Sequence, residues 1–162
     1  MAKSTRFQPA WREDVPGERS YRSVLKYDPK KFKHPSAAWY EMFKHEFAMT
    51  DDDFRDRRPG GDGEVVLDRP CGLSESQVRA FAEIVGRENV STDAYDRVKF
   101  GHGKSVDENL ALRRGAVGAV PDLVVHPRDK IEVAGVVALC NEQRIPIVTY
   151  GGGSGVVFGN SA

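Results

Sequence analysis

The stretch PDLVVHPRDKIEVAGVVALCNEQRIPIVTYGGGSG, residues 121–155, carries the strongest secondary-structure pattern in this chain. Two short apolar runs are predicted as strands: 123–125, which lies between two prolines, and the β-branched run 147–149, which follows Pro146. Between them, Asp129 and Glu132 form a capping-box pattern that predicts the start of a helix. That helix runs to about residue 143 and has one apolar face, formed by Val133, Val136, Val137 and Cys140. This order predicts a right-handed βαβ unit with two parallel strands.

A glycine-rich turn, Gly151-Gly152-Gly153-Ser154-Gly155, follows the second predicted strand. Consecutive glycines cost backbone entropy, so they indicate positive φ angles or a close approach to the backbone. At the carboxyl end of a parallel strand such a turn directs several N–H groups to one place, which suits a phosphate or pyrophosphate, and Ser154 offers a further donor. The spacing is not the G-x-G-x-x-G dinucleotide fingerprint, and residues 156–158 do not resemble the start of an amphipathic helix. A tight turn without a ligand is the alternative interpretation.

The chain divides by composition into three segments. Residues 1–63 are an N-terminal arm and linker, since residues 1–58 contain ten of the fifteen aromatic residues. We expect this arm to be largely irregular, with a helix at 36–49 capped by Ser36, and to pack on its own chain or on a partner subunit. Residues 64–116 are a helical lead-in segment, and residues 117–162 are the first βαβ lobe of an α/β domain.

The lead-in segment shows local signals for short elements. Residues 64–67 are predicted as a short strand, and the capping-box pair Ser74 and Gln77 predicts a helix that ends at Gly86. A second short helix is predicted at 106–114, with Leu110 buried. The sequence Gly101-His102-Gly103-Lys104-Ser105 resembles the end of a P-loop, but Val98 stands where that loop needs a glycine, and the preceding strand is missing. We therefore exclude a nucleotide-triphosphatase loop.

Composition excludes several classes of protein. The chain has 162 residues, enough for one domain, and its 24 Lys and Arg balance 24 Asp and Glu, which argues against a dedicated binder of nucleic acid or membrane surfaces. No apolar run is long enough to span a bilayer and no secretory signal is recognised, so the cytoplasm is the default prediction. Cys71 and Cys140 form no Cys-x-x-Cys pair, the four histidines lack zinc spacing, and residues 51–53 are interpreted as a solvated acidic turn. No metal site is predicted.

The motifs after residue 95 resemble the opening of the FAD-binding (PCMH-type) domain of vanillyl-alcohol-oxidase-type flavoproteins. The resemblance is strongest to the branch of FAD-linked D-2-hydroxyacid dehydrogenases and alkylglycerone-phosphate synthases. It is carried by these residues: Pro121-Asp122, Val124-Val125, Pro127, Glu132-Val133, Ile145-Pro146-Ile147, the glycine turn, and the stretch from Gly103-Lys104-Ser105 to Leu112-Arg113-Arg114-Gly115.

The resemblance implies an FAD-binding oxidoreductase fold whose cofactor pyrophosphate contacts the glycine turn. The implied cofactor-binding residues are Tyr150, Gly151, Gly152, Gly153, Ser154, Gly155, Gly159, Asn160 and Ser161. Several relatives carry a histidine, covalently bonded to the flavin, directly after the glycines. Because Ser154 stands there in this chain, non-covalent FAD is expected.

The resemblance also implies a function for the full-length parent, which is expected to pass a hydride from the carbinol carbon of a small 2-hydroxy acid or related alcohol to FAD. The first alternative is an alkylglycerone-phosphate synthase, which uses FAD without net redox turnover. The second is a non-enzymatic interaction module or one subunit of a split flavoprotein. Relatives continue beyond the glycine turn, so the catalytic residues are expected downstream of Ala162 and this chain alone is expected to be inactive. Its expected partners are FAD, a C-terminal portion or second subunit, and a second copy bound through the arm.

Overall fold

The computed structural model describes residue 9 and residues 14–24, 36–55 and 60–155. Within them the chain is mainly helical with one small antiparallel sheet. The α-helices are α1 Tyr21–Val24, α2 Ala37–Glu46, α3 Glu75–Val85, α4 Ala94–Phe100, α5 Val106–Arg113 and α6 Lys130–Gln143, with 3₁₀ turns at Asp52–Phe54 and Arg87–Asn89. The strands are β1 Val90–Ser91 and β2 Val124–Val125. None of the described helices is long and apolar enough to cross a bilayer.

Local capping chemistry fixes where several helices begin and end. The predicted capping box of α3 is present between Ser74 and Gln77, and Gly86 follows the helix with a φ of 89°. A second capping box, which we did not identify in the sequence, joins Ser105 to Glu108 at the start of α5. Helix α2 begins after Ser36, but the serine side chain makes no capping hydrogen bond there.

The start of α6 differs in one detail from the predicted capping box. The Asp129 carboxylate accepts the N–H groups of Ile131 and Glu132, as expected for an N-cap. Glu132 does not reciprocate to Asp129. Its carboxylate instead accepts the backbone N–H of Arg128 at 2.7 Å and binds the Arg128 guanidinium. Glu132 therefore pairs with Arg128, the residue before the N-cap, and not with Asp129 itself.

The main core joins part of the N-terminal arm to the lead-in segment. Val24 from α1, Val65, Val98 from α4 and Leu112 from α5 form one buried cluster. The arm residue Arg19 also binds Asp93 at 2.8 Å, across 74 residues of sequence. The region around α1 therefore packs on its own chain.

Three expectations for the lead-in segment and α6 were wrong. Leu110 is 44% exposed, and Leu112 is the buried leucine of α5 because α1 and α4 lie against that face. Residues 64–67 form no strand. They make a single antiparallel β-bridge, between Glu64 and Ser20, because only one arm residue pairs with them. In α6, Cys140 is buried, but Val133 and Val137 are about half exposed because α6 packs on α3 through a different face.

The predicted parallel pairing is also absent among the described residues. Strand β2 pairs antiparallel with β1, with Val90 opposite Val125 and Ser91 opposite Val124. Residues 147–149 join no ladder, and Ile147 and Val148 remain about half exposed. Parallel strands are stable when both faces are covered, and the side chains of residues 147–149 are exposed.

Candidate functional site

The glycine turn lies at the end of the path that leaves α6. Arg144 ends α6 in the left-handed conformation with a φ of 56°, and the chain then runs through residues 145–150 to the turn. Gly153 also has a left-handed φ, of 60°, and a Cβ there would overlap the Tyr150 hydroxyl. Both its backbone conformation and the close Tyr150 hydroxyl therefore require glycine at position 153.

Neither backbone conformation nor a close described neighbour requires glycine at positions 151 and 152. Neither has a φ in the left-handed region, and a Cβ added to either would meet no described atom within 4 Å. No described residue accepts a hydrogen bond from the backbone N–H groups of residues 151–155. Gly151, Gly152 and Ser154 are exposed, and their N–H groups have no acceptor among the described residues, so a ligand can come directly against the backbone here.

The turn rests on residues 101–105. The Lys104 N–H donates to the Gly155 carbonyl at 2.7 Å. The Tyr150 hydroxyl lies 3.2 Å from the Lys99 carbonyl and 3.3 Å from the His102 carbonyl, and its ring packs edge-to-face on Phe100. The Tyr150 side chain therefore faces the protein interior beneath the turn, which leaves its predicted role beside the flavin a prediction.

Glu108 organises the same loop from below. Its buried carboxylate accepts the N–H of Gly103 at 2.7 Å and the N–H of Ser105 at 3.0 Å. These loop amides are therefore occupied by a carboxylate of the chain itself, which agrees with excluding a P-loop here. Burial, the largest single influence, would raise the pKa of Glu108, but the hydrogen bonds from Ser105 and Gly103 together bring that pKa below its ordinary value.

The depressed pKa of Glu108 predicts a loss of stability in acid. Because the folded-state pKa lies below the unfolded one, the stabilisation is complete above the ordinary glutamate pKa of about 4.3 and is lost as the pH falls through the folded-state value. Urea unfolding at about pH 6 and about pH 3.5 should show a smaller acid-induced loss for Glu108→Gln than for the wild type. Equal losses in the two proteins would contradict the prediction.

The His102 side chain, in the loop at residues 101–105, points away from solvent. Its ring Nδ1 is 3.0 Å from the Val98 carbonyl, and the side chain is buried. A cavity of about 270 Å³ adjoins it, lined mainly by small residues that include Ala111, Ala116 and Gly118. The His102 side chain therefore packs beneath the glycine turn, and no hydrogen bond joins it to the N–H groups of residues 151–154.

The other sequence candidates have structural roles in the described part of the chain. Cys140 is buried, and burial raises the pKa of its thiol, whereas Cys71 is half-buried. In the acidic turn, Asp51 binds Lys44 at 2.8 Å and Asp53 accepts the Thr50 N–H at 2.7 Å. Within residues 14–24, 36–55 and 60–155, no three His, Cys, Asp or Glu side chains are grouped as a metal site. Gly159, Asn160 and Ser161 lie outside the described residues.

Two buried residues with structural roles, Glu108 beneath the turn and Arg97 in α4, were missed in the sequence. The pattern Ser105-x-x-Glu108 is typical of a capping box and could have identified Glu108 as a capping residue. Arg97 gave no such signal. Its buried guanidinium donates to the carbonyls of Pro121 at 2.7 Å and Arg69 at 2.8 Å, and this long-range contact depends on the tertiary fold.

Comparison with known proteins defines the class of the glycine-turn region. Residues 121–162 match the family of FAD binding domains. The predicted resemblance to FAD-binding oxidoreductases and the predicted α/β fold class are thereby confirmed.

Individual relatives come from the two predicted branches. The chain is 25% identical over 103 residues to the alkyldihydroxyacetonephosphate synthase of Trypanosoma brucei brucei, covering 62% of this chain and 17% of the relative. It is 37% identical over 82 residues to the mitochondrial D-lactate dehydrogenase [cytochrome] of Arabidopsis thaliana, covering 50% of this chain and 12% of the relative. The chain thus spans less than a fifth of the length of these relatives.

Solved structures show the same fold. An alkyldihydroxyacetonephosphate synthase crystallised in P212121 matches 78% of this chain with a TM-score of 0.65 and 25% identity, over 23% of its own length. Another structure of an alkyldihydroxyacetonephosphate synthase, in P1, matches 65% of this chain with a TM-score of 0.60 and 26% identity, over 20% of its length. Because each structural match covers well over half of this chain, it extends outside residues 121–162.

Proposed function

We propose that the glycine turn binds the pyrophosphate of FAD through the backbone N–H groups of residues 151–155. One observation with two parts carries this proposal. No described residue accepts a hydrogen bond from these N–H groups, and a Cβ added to Gly151 or Gly152 would meet no described atom within 4 Å. A pyrophosphate needs several convergent donors and close backbone approach, and these residues offer both. The exposed Ser154 side chain supplies a further donor.

The full-length function we propose is that of a flavin-dependent oxidoreductase acting on a small 2-hydroxy acid or related alcohol. Bound FAD supplies the hydride acceptor for such chemistry. The role of the described residues is to bind and orient the cofactor, because the catalytic residues are expected elsewhere. Gly159, Asn160 and Ser161 remain proposed neighbours of the flavin.

The cofactor is proposed to be bound without a covalent link at Ser154. A serine hydroxyl offers no imidazole nitrogen for the bond that the resemblance associates with a histidine at this place. Acid precipitation of a yellow preparation should therefore release all of the flavin into the supernatant. Flavin that stays with the precipitated protein would contradict non-covalent binding.

An alkylglycerone-phosphate synthase-like enzyme is the second candidate. Both solved structures compared above are alkyldihydroxyacetonephosphate synthases, which favours this branch. The D-lactate dehydrogenases of Arabidopsis thaliana and Danio rerio favour the first. Assays of the full-length parent with D-lactate and with an acyl-glycerone phosphate would separate the two.

A further polypeptide segment or subunit is the proposed protein partner. Residues 147–149 have exposed side chains and no ladder partner among the described residues, and Val133 and Val137 leave an apolar strip on α6 nearby in sequence. A strand that paired with residues 147–149 would satisfy that edge. A stable, FAD-free complex with such a partner would favour the interaction-module alternative, whereas a complex that restores FAD binding would favour a split flavoprotein. Assembly through the arm remains a proposal.

The compartment also remains a proposal. The sequence favoured the cytoplasm, whereas two related D-lactate dehydrogenases are named as mitochondrial proteins. Fractionation of cells that express the full-length parent would distinguish these locations.

Gly152→Ala should weaken FAD binding without weakening the fold. A Cβ at Gly152 meets no described atom and its φ is compatible with alanine, so the melting temperature should be unchanged or slightly higher. The methyl group would stand between the backbone and the phosphate, and FAD affinity measured by titration calorimetry should fall at least about tenfold. Gly63→Ala is the matched control, since its Cβ also meets nothing within 4 Å. Equal FAD affinity in the two variants would contradict the proposal.

A further inference from the structure

The loop at residues 101–105, GHGKS, has no ligand role in the proposed function, although it contacts both ends of the glycine turn. We infer that this loop is a positioning element that holds the turn in the geometry required for FAD. The inference rests on the proposed function, because it assigns the loop a role in that same site. It gives a purpose to a glycine-containing motif that does not serve as a P-loop.

The hydrogen bonds hold the turn at its two ends and leave its middle free. At one end, the Tyr150 hydroxyl lies within hydrogen-bonding distance of the Lys99 and His102 carbonyls. At the other end, the Lys104 N–H donates to the Gly155 carbonyl at 2.7 Å. The N–H groups between these attachments have no described acceptor. This arrangement fixes the path of the turn while keeping its donors available.

The loop is itself held rigidly by three separate elements. From α5, the Glu108 carboxylate accepts the N–H groups of Gly103 and Ser105. The Lys104 ammonium donates to the Val24 carbonyl in α1 at 3.2 Å. The His102 ring lies 3.0 Å from the Val98 carbonyl in α4. A shift of the loop therefore requires several hydrogen bonds to break together.

Gly103 is the point where the loop and the turn meet most closely. A Cβ at this position would lie 2.5 Å from the Gly155 carbonyl oxygen and 3.0 Å from Glu108 Oε2. Gly103 does not have a φ in the left-handed region, so glycine is needed here for space and not for backbone conformation. Any side chain at Gly103 would push the turn away from the loop.

A fixed turn matters because a ligand that binds preformed donors does not have to order them. Four or five N–H groups in a flexible glycine stretch would lose conformational entropy on binding, and that cost lowers affinity. A loop that holds the ends of the turn removes much of the cost before FAD arrives. Residues that never touch FAD can thereby determine its affinity.

The test compares Gly103→Ala with Gly118→Ala in the whole chain. Gly118 is the matched control because a Cβ there would meet only His102 Nε2, at an ordinary 3.8 Å. The first readout is hydrogen exchange of the Lys104 N–H, which should become at least about tenfold faster in Gly103→Ala and change by less than about twofold in Gly118→Ala. The second is FAD affinity, which should fall about tenfold in Gly103→Ala alone. Exchange of core amides in α3 is followed in parallel to separate local loosening from global unfolding.

Glu108→Gln gives a second route should Gly103→Ala fail to fold. Gln77 shows that a glutamine can complete a capping box, since its side-chain oxygen accepts the Ser74 N–H at 2.9 Å. At position 108 one oxygen would still serve Ser105, but the amide NH₂ group would face the Gly103 N–H, donor against donor. Lys104 exchange should again accelerate, and FAD affinity should fall relative to the wild type, because the loop would hold the turn less firmly.

The possible outcomes distinguish this inference from the proposed function. Slow Lys104 exchange in the wild type and fast exchange in both variants, with weaker FAD binding, would support the positioning role. Unchanged exchange and affinity in Gly103→Ala would overturn it, as would an unprotected Lys104 N–H in the wild type. A protected Lys104 N–H in a chain that binds no FAD, either alone or with the proposed protein partner, would remove the proposed function and leave the structural role of the loop standing.

Discussion

Replacing Leu112 with alanine is expected to lower the free energy of unfolding by about 3 kcal/mol. Leu112 is fully buried, at 0% exposure, and it lies in the core cluster with Val24, Val65 and Val98. Truncation removes apolar contacts and leaves a cavity at the point where α1, α4 and α5 meet. Because α5 also carries Glu108, the loop beneath the glycine turn should loosen as well.

The matched control for this prediction is Leu110→Ala in the same helix. Leu110 is 44% exposed, so its truncation should change the unfolding free energy by no more than about 0.5 kcal/mol. Urea denaturation of the two variants and the wild type measures both values. Similar losses at the two positions would show that the packing face of α5 is wrongly assigned.

Replacing Arg97 with methionine is expected to cost about 3 kcal/mol or more. The Arg97 side chain is buried, and its guanidinium donates to the carbonyls of Arg69 and Pro121 and lies 3.5 Å from the Asp122 carboxylate. Asp122 also accepts the Gly72 N–H at 2.9 Å. Arg97 therefore joins the segment before α3 to the chain that enters β2, and methionine would leave these carbonyls without a partner.

Two further variants show whether the effect comes from the forked guanidinium. Arg97→Lys should recover only a small part of the loss, because an ammonium cannot reach two carbonyls in the same geometry. Arg79→Met, on the exposed side of α3, should be close to neutral. Urea unfolding provides the comparison. A loss for Arg97→Met within about 1 kcal/mol of that for Arg79→Met would contradict the role assigned to Arg97.

Sequence reasoning succeeded where the signal is local. The pair Ser74 and Gln77 with Gly86 marks both ends of α3, because capping satisfies backbone groups within a few residues. Asp129 marks the start of α6 for the same reason. The glycine turn was identified as a candidate site from consecutive glycines, and the structure shows its N–H groups unpaired among the described residues.

Sequence reasoning failed where the outcome depends on distant partners. The choice between Leu110 and Leu112 is decided by α1, which lies almost ninety positions earlier in the chain. Residues 147–149 have the composition of a strand, but strand pairing requires a neighbouring edge and covered faces, which no periodicity encodes. Arg97 looks in sequence like an ordinary helical arginine, and only the fold brings two distant chain segments, at residue 69 and at residues 121–122, against it.

Amide chemical shifts test most directly whether the N–H groups of residues 151–155 bind the FAD pyrophosphate. FAD is added to the ¹⁵N-labelled chain while the signals of Gly151, Gly152, Gly153 and Ser154 are followed, with riboflavin, which lacks the pyrophosphate, as the control ligand. We expect saturable shifts of these amides with FAD and none with riboflavin, and in Gly152→Ala a saturation midpoint at least about tenfold higher. Unchanged turn amides at FAD concentrations up to about 1 mM, or equal shifts with riboflavin, would contradict the assignment of this turn as the pyrophosphate site.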